Sequence, residues 1–169
     1  VVVSSNTTKP EELSKKRDEL INGVYASITS NPYEVRYFKA LSQTLFQKLN
    51  DIFTEINSRE GEARQPKAEE ATLIQNLTIR TVNAVQETAK LAPNNVEVIM
   101  DNAESYRNLV PLVQGSEDLA IQSYEKASML EPINPFIKTQ LGQLYLVKSN
   151  LFNTQATADK ELADKAKNI

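Results

Sequence analysis

The sequence predicts an all-α fold. The 169 residues include only 4 Gly and 7 Pro, which leaves little chain for the many turns of a β protein. Apolar residues recur at intervals of three and four, the spacing of one helix face. Asn-bearing turns at Pro32, Pro93 and Pro132 separate these helical segments. We therefore expect about seven helices, over residues 10–30, 33–57, 67–91, 95–113, 116–130, 134–149 and 155–168.

Apolar stripes and helix caps define the first three of these helices. Pro10 suits the first turn of a helix, and Thr8 is a candidate cap for it. Over 33–57 and over 67–91, apolar residues keep helical spacing for longer than an ordinary repeat helix. The polar residues 58–66 between them predict an exposed loop.

The later helices are shorter and are joined by recognisable turn residues. Residues 110–118 lengthen the turn inside a hairpin, where Gly115 can stop one helix and Ser116 can cap the next. No proline closes the last predicted helix, so we expect the final repeat to be cut short. Its stripe consists of Ala158, Leu162, Ala166 and Ile169.

The stretch 120–145 carries the most specific pattern in the chain. It reads Ala120-x3-Tyr124-x2-Ala127, then Pro132, then Leu141-Gly142-x2-Tyr145. This order and spacing resemble the tetratricopeptide repeat. The resemblance implies an α-solenoid of antiparallel helix hairpins, a right-handed superhelix whose inner, concave face holds another polypeptide. We interpret the quoted residues as packing residues, and we expect Gly142 to lie against a neighbouring helix, so that Leu at this position would overpack the hairpin.

Compared with that repeat, the chain is expected to form one domain, 1–169, made of unequal parts. The outermost helices would lack a neighbour, so we expect a fragment of a longer protein or, alternatively, a homodimer formed through the open repeat ends. The expected parts are residues 1–9 as a disordered segment or linker, 10–32 as an orphan second helix, 33–93 as an enlarged repeat, 94–132 as a repeat with a lengthened turn, and 133–169 as a truncated repeat.

Composition excludes most catalytic and metal-binding chemistry. The chain has no His, Cys or Trp, which removes His bases, thiol nucleophiles and Cys/His zinc sites. Its net charge is −3 and its basic residues are scattered, a pattern that disfavours nucleic acid. No run approaches the roughly 20 apolar residues of a spanning helix, so we expect no membrane contact within this chain. We therefore expect a non-catalytic protein without metal or cofactor whose partner is a protein or peptide; an enzyme that uses only carboxylates is the weaker alternative.

The tetratricopeptide resemblance also implies which residues face the concave surface. In such repeats the first helix of each hairpin supplies most peptide contacts. Carried onto this sequence, the principal candidates are Arg36, Lys39, Gln43, Glu97, Met100, Asp101, Glu104, Arg107, Phe136, Thr139, Gln140 and Gln143, with Ala40, Phe46, Gln47, Asn108, Leu146 and Val147 at the remaining positions. A solvated face without a ligand is the alternative interpretation of this pattern.

One known function of tetratricopeptide domains does not fit these positions. Domains that clamp the C-terminal carboxylate of heat-shock chaperones use Lys, Asn and Arg on successive first helices. Lys39 matches that pattern, whereas Asp101 would repel a carboxylate. The other clamp positions hold Gln43, Phe136 and Gln140.

A narrower resemblance covers the turn that Val113-Gln114-Gly115 enlarges. Together with Asn94-Asn95-Val96 and the segment 105–127, it is similar to the C-terminal tetratricopeptide region of bacterial membrane proteins related to O-antigen ligases and polymerases. This resemblance implies an accessory domain on the extracytoplasmic face of a bacterial membrane, tethered to an upstream membrane region, that positions glycan-assembly partners. Without it, a cytoplasmic interaction module is the expectation.

Overall fold

The fold is all-α throughout the part of the chain that the structure describes. The structure is a computed structural model that describes the backbone of residues 10–166 and the side chains of residues 12–61, 63–154 and 156. The predicted segment 1–9, and the side chains of the stripe predicted from Ala158 onwards, lie outside these described residues. The helices are α1 (Pro10–Ser30), α2 (Val35–Asn57), a short 3-10 helix (Gly61–Arg64), α3 (Ala68–Leu91), α4 (Val96–Asn108), α5 (Ser116–Leu130) and α6 (Pro135–Ala166).

The described chain contains six α-helices where the sequence predicts about seven. The helices expected over 134–149 and 155–168 form one continuous helix, α6. The segment 150–154 between them holds no Pro or Gly, so no residue there interrupts the backbone hydrogen bonds of the helix. Helix α4 ends at Asn108, earlier than expected, and a turn follows it.

The chain divides into two compact units, Val1–Pro93 and Asn94–Ile169. The division falls at the turn that contains Pro93, one of the three turns identified from the sequence. Each unit has its own buried apolar residues, and each is described separately below.

Helix α2 forms the centre of the first unit. It buries Leu45 and Leu49 completely, and α3 packs on it through Leu77 and Val85. Leu45 and Leu49 are four residues apart, and Leu77 and Val85 are eight residues apart, so each pair lies on one face of its helix. Helix α1 packs on α2 and buries Ile21.

Ion pairs and hydrogen bonds supplement the packing of α1. Arg17 pairs with Asp51 of α2, and its guanidinium also donates to the Gln47 side chain at 2.7 Å. The Arg80 guanidinium of α3 donates to the Tyr25 hydroxyl at 3.0 Å and lies 5.1 Å from the centre of that ring. These polar contacts orient a helix that buries little apolar surface of its own.

A charged cluster fixes the connection between α2 and α3. The Arg59 guanidinium donates to Glu70 at 2.5 Å and to Glu55 at 3.0 Å. Glu70 also accepts from the Lys67 backbone N–H at 2.8 Å. The hydrogen bonds that Glu70 accepts from Arg59 and Lys67 lower the pKa of its carboxyl to about 2. The hydrogen bonds that Arg59 donates to Glu70 and Glu55 raise the pKa of Arg59. The long polar connection is thereby joined to the first turn of α3.

The three turns identified from the sequence share one feature, a polar side chain that bonds to the start of the next helix. Two residues after each of the three prolines, a polar side chain accepts a hydrogen bond from a backbone N–H in the first turn of the next helix. The distances are 3.2 Å for Glu34, 3.2 Å for Asn95 and 3.0 Å for Asn134. A capped helix start therefore recurs at each turn, as expected of a chain built from related segments.

The second unit is built from α4, α5 and α6. Ala120, Tyr124 and Ala127 of α5 are buried, as their interpretation as packing residues requires, whereas Tyr145 of α6, which was interpreted in the same way, is 48% exposed. Helix α6 buries Ile137 and Leu144 and packs on α5. Small residues on α5 thus allow close approach while larger ones fill the space between the helices.

The environment of Gly142 contradicts the expected packing. A Cβ placed on this residue meets nothing within 4 Å, because Gly142 lies on an exposed face of α6. Since α6 continues through residue 154 without turning back, no helix of the described chain covers that face. The expectation that a larger side chain at Gly142 overpacks a hairpin is therefore wrong.

The turn before α5 also differs in detail from the expectation. Gly115 has a φ of 82° and is itself the residue that precedes the helix; this left-handed conformation favours glycine. Ser116 is the first residue of α5, and its hydroxyl donates to the Val113 carbonyl at 2.6 Å. Ser116 therefore bonds back to the turn instead of capping α5.

Candidate functional site

The exposed sides of α4 and α6 in the second unit hold most of the predicted binding residues. We call this surface the α4–α6 face. It comprises Glu97, Met100, Asp101, Glu104, Arg107, Phe136, Thr139, Gln140, Gln143 and Leu146.

Arg107 connects the two helices of this face. Its guanidinium donates to the side-chain oxygen of Gln140 at 2.7 Å and to that of Gln143 at 3.4 Å. The same group lies 3.6 Å from the Glu104 carboxylate, one helical turn earlier on α4. The structure therefore brings together four of the predicted residues, from two helices, in one polar network.

Acidic residues follow one side of α4. Glu97, Asp101 and Glu104 stand at intervals of four and three residues, so they share a helix face. Glu97 and Glu104 are exposed, and Asp101 is partly buried. Arg107 is the only basic residue of α4, so the helix itself contains more acidic than basic residues.

Glu104 joins the face to the core of the unit. The Tyr124 hydroxyl donates to the Glu104 carboxylate at 3.4 Å from its position on α5. Burial, together with the negative charge of Glu104, raises the pKa of Tyr124 to about 12. Tyr124 therefore stays protonated at neutral pH, and its hydroxyl can donate to the Glu104 carboxylate.

Helix α6 contributes exposed apolar side chains to the same face. Phe136 is 55% exposed and Leu146 is 68% exposed. Thr139 and Gln143 lie between them along the helix, and both are exposed. Both side chains are therefore accessible to another molecule.

The predicted residues of the first unit lie along α2. Arg36 is exposed and bonds to Glu34 at the start of its own helix, with both distances 3.0 Å. Hydrogen bonds from Arg36 lower the pKa of Glu34 to about 2. Gln43 is exposed, and Lys39 is partly buried. Arg36 therefore takes part in a local helix-start contact as well as lying at a predicted binding position.

The sequence analysis did not identify a groove between α1 and α2. It has a volume of about 310 Å³. Both of its carboxylates are ion-paired, Asp51 with Arg17 and Glu55 with Arg59. The signal in the sequence for this groove was the alternation of acidic and basic residues along α1 and α2. The groove is lined by Leu13, Ser14, Lys48, Asp51, Ile52, Thr54, Glu55 and Ser58.

The described residues contain neither a candidate metal site nor a candidate membrane span. No group of three or more His, Cys, Asp or Glu side chains among them is placed to hold a metal ion. Within the same part of the chain, every helix is too short or too polar to cross a membrane.

No protein-family model matches this chain, and no curated protein matches it significantly. The resemblances to tetratricopeptide repeats and to O-antigen ligase-like proteins therefore stay predictions from the residues.

Proposed function

We propose that this chain is a non-catalytic protein-interaction module, a tetratricopeptide-like α-solenoid that binds a peptide or a partner domain on the face formed by the first helix of each hairpin. The observation that carries the proposal is the Arg107 network, with distances of 2.7 Å to Gln140 and 3.4 Å to Gln143. It aligns the exposed sides of α4 and α6 into one continuous surface.

The composition of this surface supports binding to a polypeptide. It combines exposed apolar anchors, Phe136 and Leu146, with the exposed amide of Gln143. A side-chain amide can both donate to and accept from a peptide backbone. Apolar anchors supply affinity, whereas amides fix the register of an extended ligand.

The recurring helix starts support the repeat architecture on which this proposal depends. Glu34, Asn95 and Asn134 each cap a helix, and each stands two residues after a proline in the sequence. A repeated turn of this kind places successive first helices in equivalent local settings, as a helical repeat requires.

The proposal is tested by selecting ligands from a library of random short peptides displayed on phage, with the full chain immobilised. Selected peptides are then synthesised, labelled and titrated by fluorescence polarisation. We expect Leu146→Asp to weaken their binding about tenfold or more, because it replaces an apolar anchor by a charge.

Met129→Asp is the matched control. Met129 is 76% exposed, and it lies on α5 instead of the α4–α6 face. Equal affinities for the wild type and for both variants would refute binding on this face. Failure to select any peptide would refute the peptide-binding function itself.

A further inference from the structure

We infer that the outer side of α6 pairs with the same helix of a second copy of this chain. Exposed residues at intervals of three and four form one stripe along the helix. We call this stripe the α6 seam; it consists of Gly142, Tyr145, Ser149, Phe152 and Ala156. The seam is separate from the proposed peptide-binding face. Ser149 and Gln140, which bonds to Arg107, are nine residues apart and therefore lie on opposite sides of α6.

The seam is complementary to itself because small and aromatic residues alternate along it. When two copies of α6 run antiparallel with Val147 at the centre, Gly142 faces Phe152 of the second copy, and Tyr145 faces its Ser149. The two-fold axis repeats both contacts, so all four aromatic rings meet small residues. A Cβ placed on Gly142 meets nothing within 4 Å, which leaves room for the ring. A parallel pair would instead set ring against ring and leave gaps between the small residues.

Both aromatic rings already have contacts within their own chain. The Tyr145 hydroxyl donates to Glu125 of α5 at 2.7 Å. The Lys148 ammonium lies 5.8 Å from the centre of the Phe152 ring. Rings that are held in this way lose less conformational freedom when a second copy covers them.

The charge distribution of α6 also favours a second copy. Residues 139–158 contain a single charged residue, Lys148, and it pairs with Asp118 of α5 at 2.5 Å. Each chain has a net charge of −3, so two copies would repel each other where unpaired charges of the same sign met. The seam brings the copies together along a stretch that adds no such repulsion.

The area of the seam sets the expected strength of pairing. Tyr145 is 48% exposed and Phe152 is 63% exposed. Since an aromatic side chain can bury about 150–250 Å², the exposed parts of the two rings supply roughly 200 Å² per copy. A stable interface buries about 800 Å² per partner. We therefore expect a weak, reversible dimer.

The inference is tested by sedimentation equilibrium of the full chain over a range of concentrations. We expect a monomer–dimer equilibrium with a dissociation constant on the order of 100 µM. A chain that stays monomeric up to ~1 mM would overturn the inference.

Two variants test the seam directly. Phe152→Ala removes both Phe152 rings from each dimer, and Gly142→Glu places a carboxylate where the ring of the second copy would lie. We expect each to raise the dissociation constant about tenfold or more. Gly142 and Phe152 are both exposed, so the circular dichroism of the monomer should not change.

Gly23→Glu in α1 is the matched control for Gly142→Glu. It makes the same change at another exposed helical glycine whose Cβ position is open, so the dissociation constant should stay within about twofold. If Gly23→Glu disrupts the dimer and Gly142→Glu does not, the copies pair through α1, and the inference is wrong. Equal effects of the two variants would mean that only net charge matters, which would also overturn it.

A spin label tests the antiparallel orientation. The chain has no Cys, so Thr139→Cys provides a single attachment site on α6. In the antiparallel pair, the two labelled residues are separated by sixteen helical positions, or roughly 24 Å along the helix axis. In a parallel pair they would be separated by about the interhelical distance of 8–10 Å. Electron paramagnetic resonance at a concentration at which the dimer predominates distinguishes these distances, and the shorter one would refute the proposed pairing.

Discussion

Gly142→Ala should stabilise the second unit, and the structure gives the size of the effect. Gly142 lies inside α6, and a Cβ at this position meets nothing within 4 Å. The substitution therefore adds no clash and restricts the unfolded chain. Alanine is favoured over glycine inside a helix by about 1 kcal/mol, and we expect a gain of roughly that size in the free energy of unfolding. Urea denaturation followed by circular dichroism measures it.

The result separates two packing arrangements of α6. In a complete tetratricopeptide repeat the corresponding residue lies against a second helix, so that added atoms cost stability. A loss of stability in Gly142→Ala would therefore refute the exposed position that we assign to this residue. Gly23→Ala in α1 is the matched positive control, because a Cβ there also has open space. Gly115→Ala is the matched negative control and should cost about 1 kcal/mol, because its φ of 82° disfavours any residue with a Cβ.

Three further predictions concern packing and charge. Leu144→Ala should destabilise the second unit by about 2–5 kcal/mol in urea denaturation, because Leu144 is completely buried; a loss below ~1 kcal/mol would contradict its place between α5 and α6. Glu70 has a pKa of about 2, below its ordinary value of 4.5, so the stability it contributes is present above pH 4.5 and is lost as pH falls through 2. Glu70→Gln should therefore flatten the pH dependence of stability between those two values, and an unchanged acid profile in thermal melts would show that its bonds to Arg59 and Lys67 contribute nothing. Glu104→Gln should lower the pKa of Tyr124 from about 12 while leaving it above 10, because the negative charge of Glu104 is removed and the burial of Tyr124 remains. Tyrosinate absorbance during an alkaline titration measures this shift. An unshifted titration would argue against the contact between Tyr124 and Glu104.

The local features of the fold were predictable from the sequence. Pro32, Pro93 and Pro132 end helices because proline disfavours the helical conformation of the residue before it. The side chains that start the next helices are of types that accept hydrogen bonds. Both effects act within a few residues, so they could be read without knowledge of the tertiary structure. The merging of the last two predicted helices into α6 was missed, although residues 150–154 contain no Pro or Gly that would end a helix.

The features that the sequence did not predict depend on tertiary neighbours. The repeat pattern places Gly142 at a packing position, but packing requires a second helix against that face. Tyr124 fits the pattern as a core residue, which its burial bears out, yet its bond to Glu104 depends on the angle between α4 and α5. The Arg107 network likewise needs α4 and α6 side by side. Sequence spacing gives the face of a helix on which a residue lies, but it does not give the partner that the face meets.

Leu144 and Leu146 allow the effect of α6 on stability to be measured separately from its proposed effect on binding. They are the same residue type two positions apart, which rotates their side chains by about 200° around the helix. Leu144 is completely buried, whereas Leu146 is 68% exposed. Replacing Leu144 therefore leaves a cavity, while replacing Leu146 changes only the outer surface. A binding defect in Leu146→Asp with unchanged urea denaturation would thus report on the α4–α6 face alone, whereas a parallel loss of stability would mean that Leu146 belongs to the core and that this face is not a free surface.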